Sequence, residues 1–210
     1  MGLLLTWLKT IILKAGQELN STGKIYINEL KSILDSIDLV SIDKLCAKIL
    51  SARETRNTIF IIGNGGSAAT ASHMATDLMF GSNLSNPPLH VVSLADNNSA
   101  LTATGNDLNF EQIFSRQISV LGKTNDILIA ISASGNSANL IKAVKTAKSI
   151  GIETIGIIGF DGGQLALDVD FLLHVPTNQG AYGLSEDAHL TINHIITSIL
   201  KNEAKKESLN

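Results

Sequence analysis

The sequence predicts an α/β protein with a parallel sheet covered by helices on both faces. Five strand candidates alternate with helix candidates over most of the chain. The strand candidates are continuous apolar runs such as "DILIAIS" and "IETIGIIG", which is typical of strands buried on both sides. Because 44% of the 210 residues are hydrophobic and only 17% are charged, the chain can fold around a substantial core.

The first twenty residues predict an amphipathic helix. Lys9 and Lys14 break an apolar stretch that is too short to cross a bilayer, and a signal peptide would carry its positive charge before that stretch. We expect Trp7 to pack either on another subunit or within its own chain. The apolar positions recur at helical spacing and are Leu4, Leu5, Leu8, Ile11 and Ile12.

The chain up to about residue 52 predicts further helices. The stretch "IYINELKSILDSIDLVSIDKLCAKILSAR" has apolar residues three and four apart, and Ser41, followed by Asp43, is predicted to start a helix. We therefore predict an N-terminal helical arm over residues 1–52 and an α/β domain over residues 53–205, within one structural domain overall.

The elements of the α/β domain follow one another without a long linker. Strands are predicted over Thr58–Ile62, Leu89–Ser93, Asp126–Ser132, Glu153–Gly159 and Phe171–Val175. Helices are predicted over Ala68–Leu78, Ala100–Asn106, Phe110–Ser119, Ala138–Ile150, Gln164–Leu167 and Ser185–Ala204.

Charge and cysteine content limit the function classes. A formal charge of −3 argues against nucleic acid as a direct partner, because binding to a phosphate backbone needs clustered Lys and Arg. A single cysteine, Cys46, excludes an internal disulfide framework and is predicted to be a small buried residue. We expect a cytosolic protein that does not engage a membrane.

Two strand ends carry loops of similar composition. "GNGGSAA" (Gly63–Ala69) follows the first strand and "SASGNSAN" (Ser132–Asn139) follows the third. Glycines, hydroxyls and a helix start directly behind them suit an anion, although such residues also simply form turns. Neither loop fits the lysine-containing phosphate loop or G-x-G-x-x-G. The pair therefore favours a sugar phosphate held by hydroxyl and amide groups.

Ionisable residues cluster at two further places. His73 and Asp77 lie four residues apart on one helical face, which suits a shared metal ion, an acid/base pair or an ordinary surface hydrogen bond. Glu186 and His194 are two helical turns apart, roughly 12 Å along the axis, so both reach one ligand only if it lies between them. His189 lies on a different side and is predicted to be structural.

Four stretches together resemble the sugar isomerase (SIS) family, and most closely bacterial phosphoheptose isomerases. The resemblance runs from about residue 30 to 200 with the motifs in matching order, which makes it far more specific than one glycine-rich loop. The stretches are "GNGGSAATASHMATDL", "GNDLNFEQIFSRQI", "ISASGNSANLIKAVKTAKSIGIETIGIIGFDGG" and "EDAHLTINHI".

The resemblance implies a three-layer α/β/α sandwich with a five-stranded parallel sheet, assembled as a homotetramer with active sites between subunits. It implies isomerisation of sedoheptulose 7-phosphate to D-glycero-D-manno-heptose 7-phosphate for surface polysaccharide heptose. The substrate contacts that it implies are Ser132, Ser134 and Ser137 for the phosphate, and Asn64, Gly65, Ser67, Asp107 and Glu186.

The resemblance also implies one Zn²⁺ ion per subunit, held by His73, Asp77, Glu186 and His194. Two histidines and two carboxylates suit zinc and leave manganese or iron open. Such an ion would polarise the carbonyl and steady the enediolate. For catalysis we expect Asp77 as the base at carbon and His194 as the proton donor and acceptor, or the two roles exchanged.

This chain departs from the typical family pattern. It has Asp77 where Glu is usual, Glu186 where Gln is usual and Ala133 where a hydroxyl is common, and "NQGAYGLSED" replaces a different loop. These departures indicate a divergent branch. Two alternatives stay open, namely a non-catalytic SIS protein that binds a replication initiator or senses sugar phosphates, and a mutarotase or other sugar-phosphate enzyme.

Overall fold

The computed structural model describes residues 21–209. The chain divides into two compact units between Ser36 and Ile37. In the first unit, residues 21–35 are helical and are called α1. The amphipathic helix predicted within residues 1–20, with the packing of Trp7, lies outside the described residues. The predicted division between residues 52 and 53 stays a prediction.

The second unit alternates strands and helices. Its strands are β1 (Thr58–Gly63), β2 (His90–Ser93), β3 (Ile127–Ser132), β4 (Glu153–Ile158) and β5 (Phe171–His174). Its helices are α2 (Leu39–Glu54), α3 (Gly66–Thr76), α4 (Asn98–Asp107), α5 (Ser115–Leu121), α6 (Ala138–Ile150), α7 (Gly163–Asp168) and α8 (Tyr182–Glu207). Within residues 21–209, no helix combines the length and apolar character needed to cross a bilayer.

The five strands form one parallel sheet in the order β2-β1-β3-β4-β5, which confirms the predicted α/β fold. The chain leaves β1 to build β2 on one side and then returns to build β3 on the other. In such sheets, ligands bind in the crevice at the carboxyl ends of the strands where this direction reverses. Here that crevice lies between the ends of β1 and β3, where Gly63 pairs with Ile131.

The core explains why the strand sequences show no polar alternation. Side chains of a strand point alternately to the two faces of the sheet. Phe60 and Ile62 of β1 pack in one layer with Leu140 of α6. Ile59 and Ile61 face the opposite layer and are fully buried. Both faces therefore need apolar residues, as the sequence pattern predicts.

Helix α2 begins earlier than predicted. Its N-cap is Asp38, whose Oδ1 accepts hydrogen bonds from the backbone N–H groups of Val40 (3.0 Å) and Ser41 (3.2 Å). The Ser41 hydroxyl donates to Asp38 Oδ2 at 2.6 Å. The prediction that Ser41 starts the helix was wrong because Ser41 supports the cap instead of forming it. This hydroxyl contact, together with the backbone contacts, lowers the pKa of Asp38.

The helix predicted over Phe110–Ser119 is interrupted. A 3₁₀ turn covers Phe110–Gln112 and α5 begins only at Ser115. The consecutive residues Ile113 and Phe114 are both buried while Phe110 stays exposed. The chain over Phe110–Gln112 therefore turns more tightly than an α-helix, as short 3₁₀ segments before α-helices commonly do.

Arg53 ties three elements together although it is buried. Its guanidinium donates to both carboxylate oxygens of Glu207 near the end of α8, at 2.6 and 2.8 Å. It also donates to the carbonyl oxygens of Pro87 (2.6 Å) and Asn86 (3.0 Å) in the β1–β2 connection. The contact with Glu207 raises the pKa of Arg53 and lowers that of Glu207. The far end of α8 is therefore anchored.

Cys46 is buried in α2, as predicted. Burial raises the pKa of its thiol to about 12. A thiol with such a pKa stays protonated at neutral pH and is a poor nucleophile or metal ligand. Cys46 therefore belongs to the core and has no part in the chemistry.

Candidate active site

The loops after β1 and β3 enclose a cavity of about 90 Å³ at the crevice of the sheet. We call it the serine cavity. Its lining residues are Asn64, Ser67, Ile131, Ser132, Ala133, Ser134, Ser137, Leu140, Tyr182 and Glu186. Six of these carry polar groups that the sequence proposed as substrate contacts, so the fold brings together residues from three separate stretches of the chain.

The loop after β3 is held in shape by its own hydroxyl groups. Ser132 Oγ accepts the backbone N–H of Gly135 at 3.0 Å, and Ser134 Oγ accepts that of Asn136 at 3.3 Å. Gly135 has a φ of +65°, and a Cβ there would lie 2.0 Å from the carbonyl oxygen of Gly162. Only glycine fits this position, which lets the loop lie directly against the β4–α7 connection.

Helix α6 begins at the serine cavity. Ser137 is its N-cap residue, and the Ser137 side chain makes no capping hydrogen bond. The first backbone N–H groups of a helix lack partners inside it and, with the helix dipole, attract anions. The cavity thus joins neutral hydroxyl donors to a helix N-terminus, as the anion-site hypothesis requires.

Two asparagines connect the loops after β1 and β3. Asn64 Nδ2 donates to Asn139 Oδ1 at 2.9 Å, and Asn139 Nδ2 donates back to Asn64 Oδ1 at 2.8 Å. Asn139 lies inside α6 and is only 3% exposed. Asn139 was not among the site residues predicted from the sequence. The signal available there was a polar residue near the start of an otherwise apolar helix face.

Glu186 stands between the serine cavity and a second cavity of about 240 Å³. The second cavity is also lined by His73 of α3. The Glu186 carboxyl group lies directly over Gly66, where an added Cβ would come within 2.3 Å of it. The absence of a side chain at residue 66 is therefore what lets this carboxylate occupy the wall that both cavities share.

His73, Asp77 and His194 form a compact cluster, which we call the histidine group. Each offers one ligand atom, and these atoms all lie within 4.8 Å of one another. Asp77 Oδ2 is 3.4 Å from His73 Nε2 and 3.8 Å from His194 Nε2. The two imidazole rings meet edge to face with centroids 5.1 Å apart. This group could hold a metal ion.

The backbone around Asp77 is unusual. A π-helical turn over Asp77–Gly81 continues α3, and the N–H of Ser82 donates to the carbonyl oxygen of Asp77 at 2.8 Å. Such turns insert one extra residue into a helix and occur often at functional sites. The helical pattern of the sequence predicts a regular helix as far as Leu78 and does not reveal this turn.

Three proposed residues lie outside the histidine group, and two of them, Asp107 and Gly65, do not line the serine cavity either. Glu186 lies outside the histidine group, so its role as a fourth metal ligand stays a prediction. Asp107 is exposed at the end of α4 and accepts a hydrogen bond from Asn106 Nδ2 at 3.0 Å. Gly65 is exposed as the N-cap residue of α3, next to the serine cavity. Their roles toward a substrate also stay predictions.

His189 is a buried residue of α8, only 1% exposed. Burial lowers its pKa to about 4, so the ring is neutral at physiological pH. Within residues 21–209 neither ring nitrogen has a hydrogen-bond partner. Its burial agrees with the structural role that the sequence predicted.

Tyr182 is an aromatic residue that lines the serine cavity and was not predicted from the sequence as a site residue. It is the first residue of α8, and its ring meets that of Phe160 edge to face with centroids 5.1 Å apart. Phe160 follows β4 and has a φ of +44°, which is uncommon for a residue with a bulky side chain. The stretch "NQGAYGLSED" thus contributes one wall of the cavity.

Comparisons with known proteins agree with this geometry. Residues 25–159 match the SIS domain family. The phosphoheptose isomerase of Sulfurimonas denitrificans is 39% identical over 186 residues, which are 89% of this chain and 91% of that protein. The phosphoheptose isomerase of Clostridium acetobutylicum is 38% identical over 195 residues, which are 93% and 88%. The structure of phosphoheptose isomerase from Neisseria gonorrhoeae matches with a TM-score of 0.79 at 31% identity, covering 90% of this chain and 99% of that one.

Proposed function

The chain belongs to the SIS domain family and, within it, to the phosphoheptose isomerases, and from this membership we propose that it converts sedoheptulose 7-phosphate to D-glycero-D-manno-heptose 7-phosphate. It is an aldose–ketose isomerase by this relationship. We place the reaction at the serine cavity and the neighbouring histidine group. The product is the kind of heptose phosphate from which surface polysaccharide is made.

The position of Glu186 is the observation that carries this assignment. Its carboxylate lines both the serine cavity and the cavity of His73. A sugar phosphate bound by its phosphate end in the first cavity would extend past Glu186 toward the second. A carboxylate at that point is suited to accept hydrogen bonds from sugar hydroxyl groups.

We assign phosphate binding to Ser132, Ser134 and Ser137 together with the N-terminus of α6. Among the described residues, those lining the serine cavity include neither Lys nor Arg. Binding therefore depends on hydroxyl groups, backbone N–H groups and the helix dipole. Ala133 lines the same cavity without offering a hydroxyl, whereas Tyr182 lines it with a phenol hydroxyl group.

The reaction moves two protons. One passes from C1 to C2 of the sugar, and the other passes from the C1 hydroxyl to the C2 oxygen. We assign the carbon proton to Asp77 and the oxygen proton to His194, or the reverse, because both groups lie in one cluster open to solvent. Asn64 and Ser67 position the sugar beside them by hydrogen bonds.

The donor set of the histidine group fits zinc. Two imidazole nitrogens and one carboxylate oxygen are the ligands of many catalytic zinc sites, which keep a further position open for substrate. We propose that His73, Asp77 and His194 hold the ion, with Glu186 as a candidate fourth ligand. A bound Zn²⁺ would act as a Lewis acid toward the sugar carbonyl.

We propose a homotetramer whose active sites lie between subunits. Asp107 supports this assembly, since it is exposed on α4 and does not line the serine cavity of its own chain. A neighbouring subunit would bring such a residue to the cavity. Size measurement by light scattering tests the assembly, and a monomer would remove the reason to include Asp107 in the site.

The proposed function is tested by incubating the purified protein with sedoheptulose 7-phosphate and following the sugar by NMR. We expect the aldose signal to grow with time. Unphosphorylated sedoheptulose is the matched control, and we expect no detectable conversion because the serine cavity then holds nothing. If the protein bound sedoheptulose 7-phosphate but formed no aldose, the isomerase assignment would be overturned in favour of a sugar-phosphate sensor.

A further inference from the structure

Asn193 is a buried residue that contacts the histidine group from inside the protein. It is fully buried on α8, directly before His194. Its side-chain Nδ2 donates a hydrogen bond to Asp77 Oδ2 at 2.7 Å. The two residues are 116 positions apart in the chain, so this contact depends on the packing of α8 against the end of α3.

The oxygen that Asn193 binds is the one that both histidines approach. Asp77 Oδ2 is 3.4 Å from His73 Nε2 and 3.8 Å from His194 Nε2. A carboxylate on a single methylene can rotate about its bond, and a hydrogen bond to one oxygen restricts that rotation. Groups that orient ligand side chains in this way commonly control metal affinity and activity.

The rest of the Asn193 side chain argues against a purely structural role. Its Oδ1 has no hydrogen-bond partner within residues 21–209. A buried polar atom without a partner lowers stability, so an apolar residue of similar size would serve packing at least as well. The amide is therefore best explained by the donor that it presents to Asp77.

We propose that Asn193 is a positioning residue that holds the Asp77 carboxylate toward His73 and His194. The proposal rests on the proposed function, since it concerns the orientation of the same group. Asn193 does not touch the substrate, and it acts through Asp77. One helix then supplies both a member of the histidine group and the amide that orients another member.

The test compares Asn193→Leu with the wild type. Leucine has a similar volume and cannot donate, and Asn193→Ala is a second variant that removes the donor without adding bulk. Thr197→Val is the matched control, because Thr197 lies one turn further along α8 and its buried Oγ1 has no partner within the described residues. Each protein is titrated with Co²⁺ by visible absorption, assayed with sedoheptulose 7-phosphate and unfolded in urea.

We expect both Asn193 variants to bind Co²⁺ about tenfold to a hundredfold more weakly and to lose kcat by a similar factor. KM should change less than about threefold, because the serine cavity is untouched. Thr197→Val should match the wild type in Co²⁺ affinity and kcat. Unchanged Co²⁺ affinity and kcat in Asn193→Leu and Asn193→Ala, beside an active wild type, would overturn the inference alone. A wild type that neither binds Co²⁺ nor turns over the sugar would overturn the proposed function and the inference with it.

Discussion

The serine cavity and the histidine group are built in different ways. The serine cavity lies at strand ends, and its donors are hydroxyl and backbone groups fixed by short loops. The histidine group lies on two helices, α3 with its π-turn and α8, and its side chains are partly open to solvent, with His194 54% and His73 45% exposed. In the serine cavity, hydrogen bonds to the loop backbone hold the donor groups in place. In the histidine group, the distances between the ligand atoms depend on how the side chains are oriented.

From this difference we predict which kinetic constant a single substitution in each region should change. In the proposed site many weak donors share the phosphate, so removing one should weaken binding without abolishing it. The histidine group has three members, and in the proposed mechanism each is needed for proton transfer, metal binding or both. We therefore expect substitutions in the serine cavity to change KM and substitutions in the histidine group to change kcat.

The substitution Asp77→Asn should have the largest effect. It keeps the size of the side chain and removes the charge and the basic oxygen, so kcat should fall about a thousandfold. KM should change little because the phosphate contacts remain. Initial rates followed by NMR measure both constants, and a urea titration shows whether the fold is intact. An Asp77→Asn protein with wild-type kcat would show that Asp77 does not take part in proton transfer.

Gly66→Ala should disturb the wall between the two regions. The new Cβ would come within 2.3 Å of the Glu186 carboxyl group, which must then move while the backbone stays in place. Small displacements of positioning groups can cost about a hundredfold, and we expect a loss of that size in kcat/KM. Gly23→Ala, in α1, is the control for changes in helix propensity, because an added Cβ there meets nothing within 4 Å. Equal kcat/KM in Gly66→Ala and wild type would show that activity does not depend on the position of the Glu186 carboxylate between the two cavities.

His189 should make stability depend on pH through α8, the helix that serves both regions. Its pKa is lowered by burial from 6.5 to about 4, so between these values the unfolded chain takes up a proton that the folded protein resists. Stability should therefore fall as pH drops from about 6.5 toward 4, by about 2 kcal/mol at pH 5 from this residue. Urea unfolding at pH 8 and pH 5 measures the loss. His189→Gln should lose about 2 kcal/mol less than wild type over the same range, and an equal loss in both proteins would contradict the burial effect.

Ser137→Ala should have the smallest of these effects. It removes one hydroxyl from the serine cavity and leaves the backbone of α6 in place, so KM should rise about tenfold with kcat unchanged. Ser149→Ala, near the other end of α6, is the matched control and should leave both constants alone. If Ser137→Ala lowered kcat instead of raising KM, the assignment of phosphate binding to the serine cavity and of catalysis to the histidine group would be wrong.

The serine cavity was the part of the site most open to prediction from sequence. Its loops follow apolar runs directly, and the rule that parallel strands end at one edge of a sheet brings Ser67 and Ser132 together. The pairing of His73 with Asp77 is equally local, since four residues make one helical turn.

The contacts that join distant parts of the chain could not be predicted in this way. Asn139 meets Asn64 across 75 residues, and Asn193 meets Asp77 across 116. Such contacts depend on how helices pack on the sheet, and no local pattern encodes that. The π-turn at Asp77 also escaped prediction, because the periodicity of a helix does not reveal one inserted residue.

The reciprocal pair formed by Asn64 and Asn139 has a consequence for how a ligand is received. Each of these two amides donates to and accepts from the other, which links the loop after β1 to the first turn of α6 behind the loop after β3. An incoming sugar phosphate therefore meets a surface that is already assembled, and it need not spend its own interaction energy on ordering two independent segments. Affinity then follows from preorganisation as much as from the number of contacts.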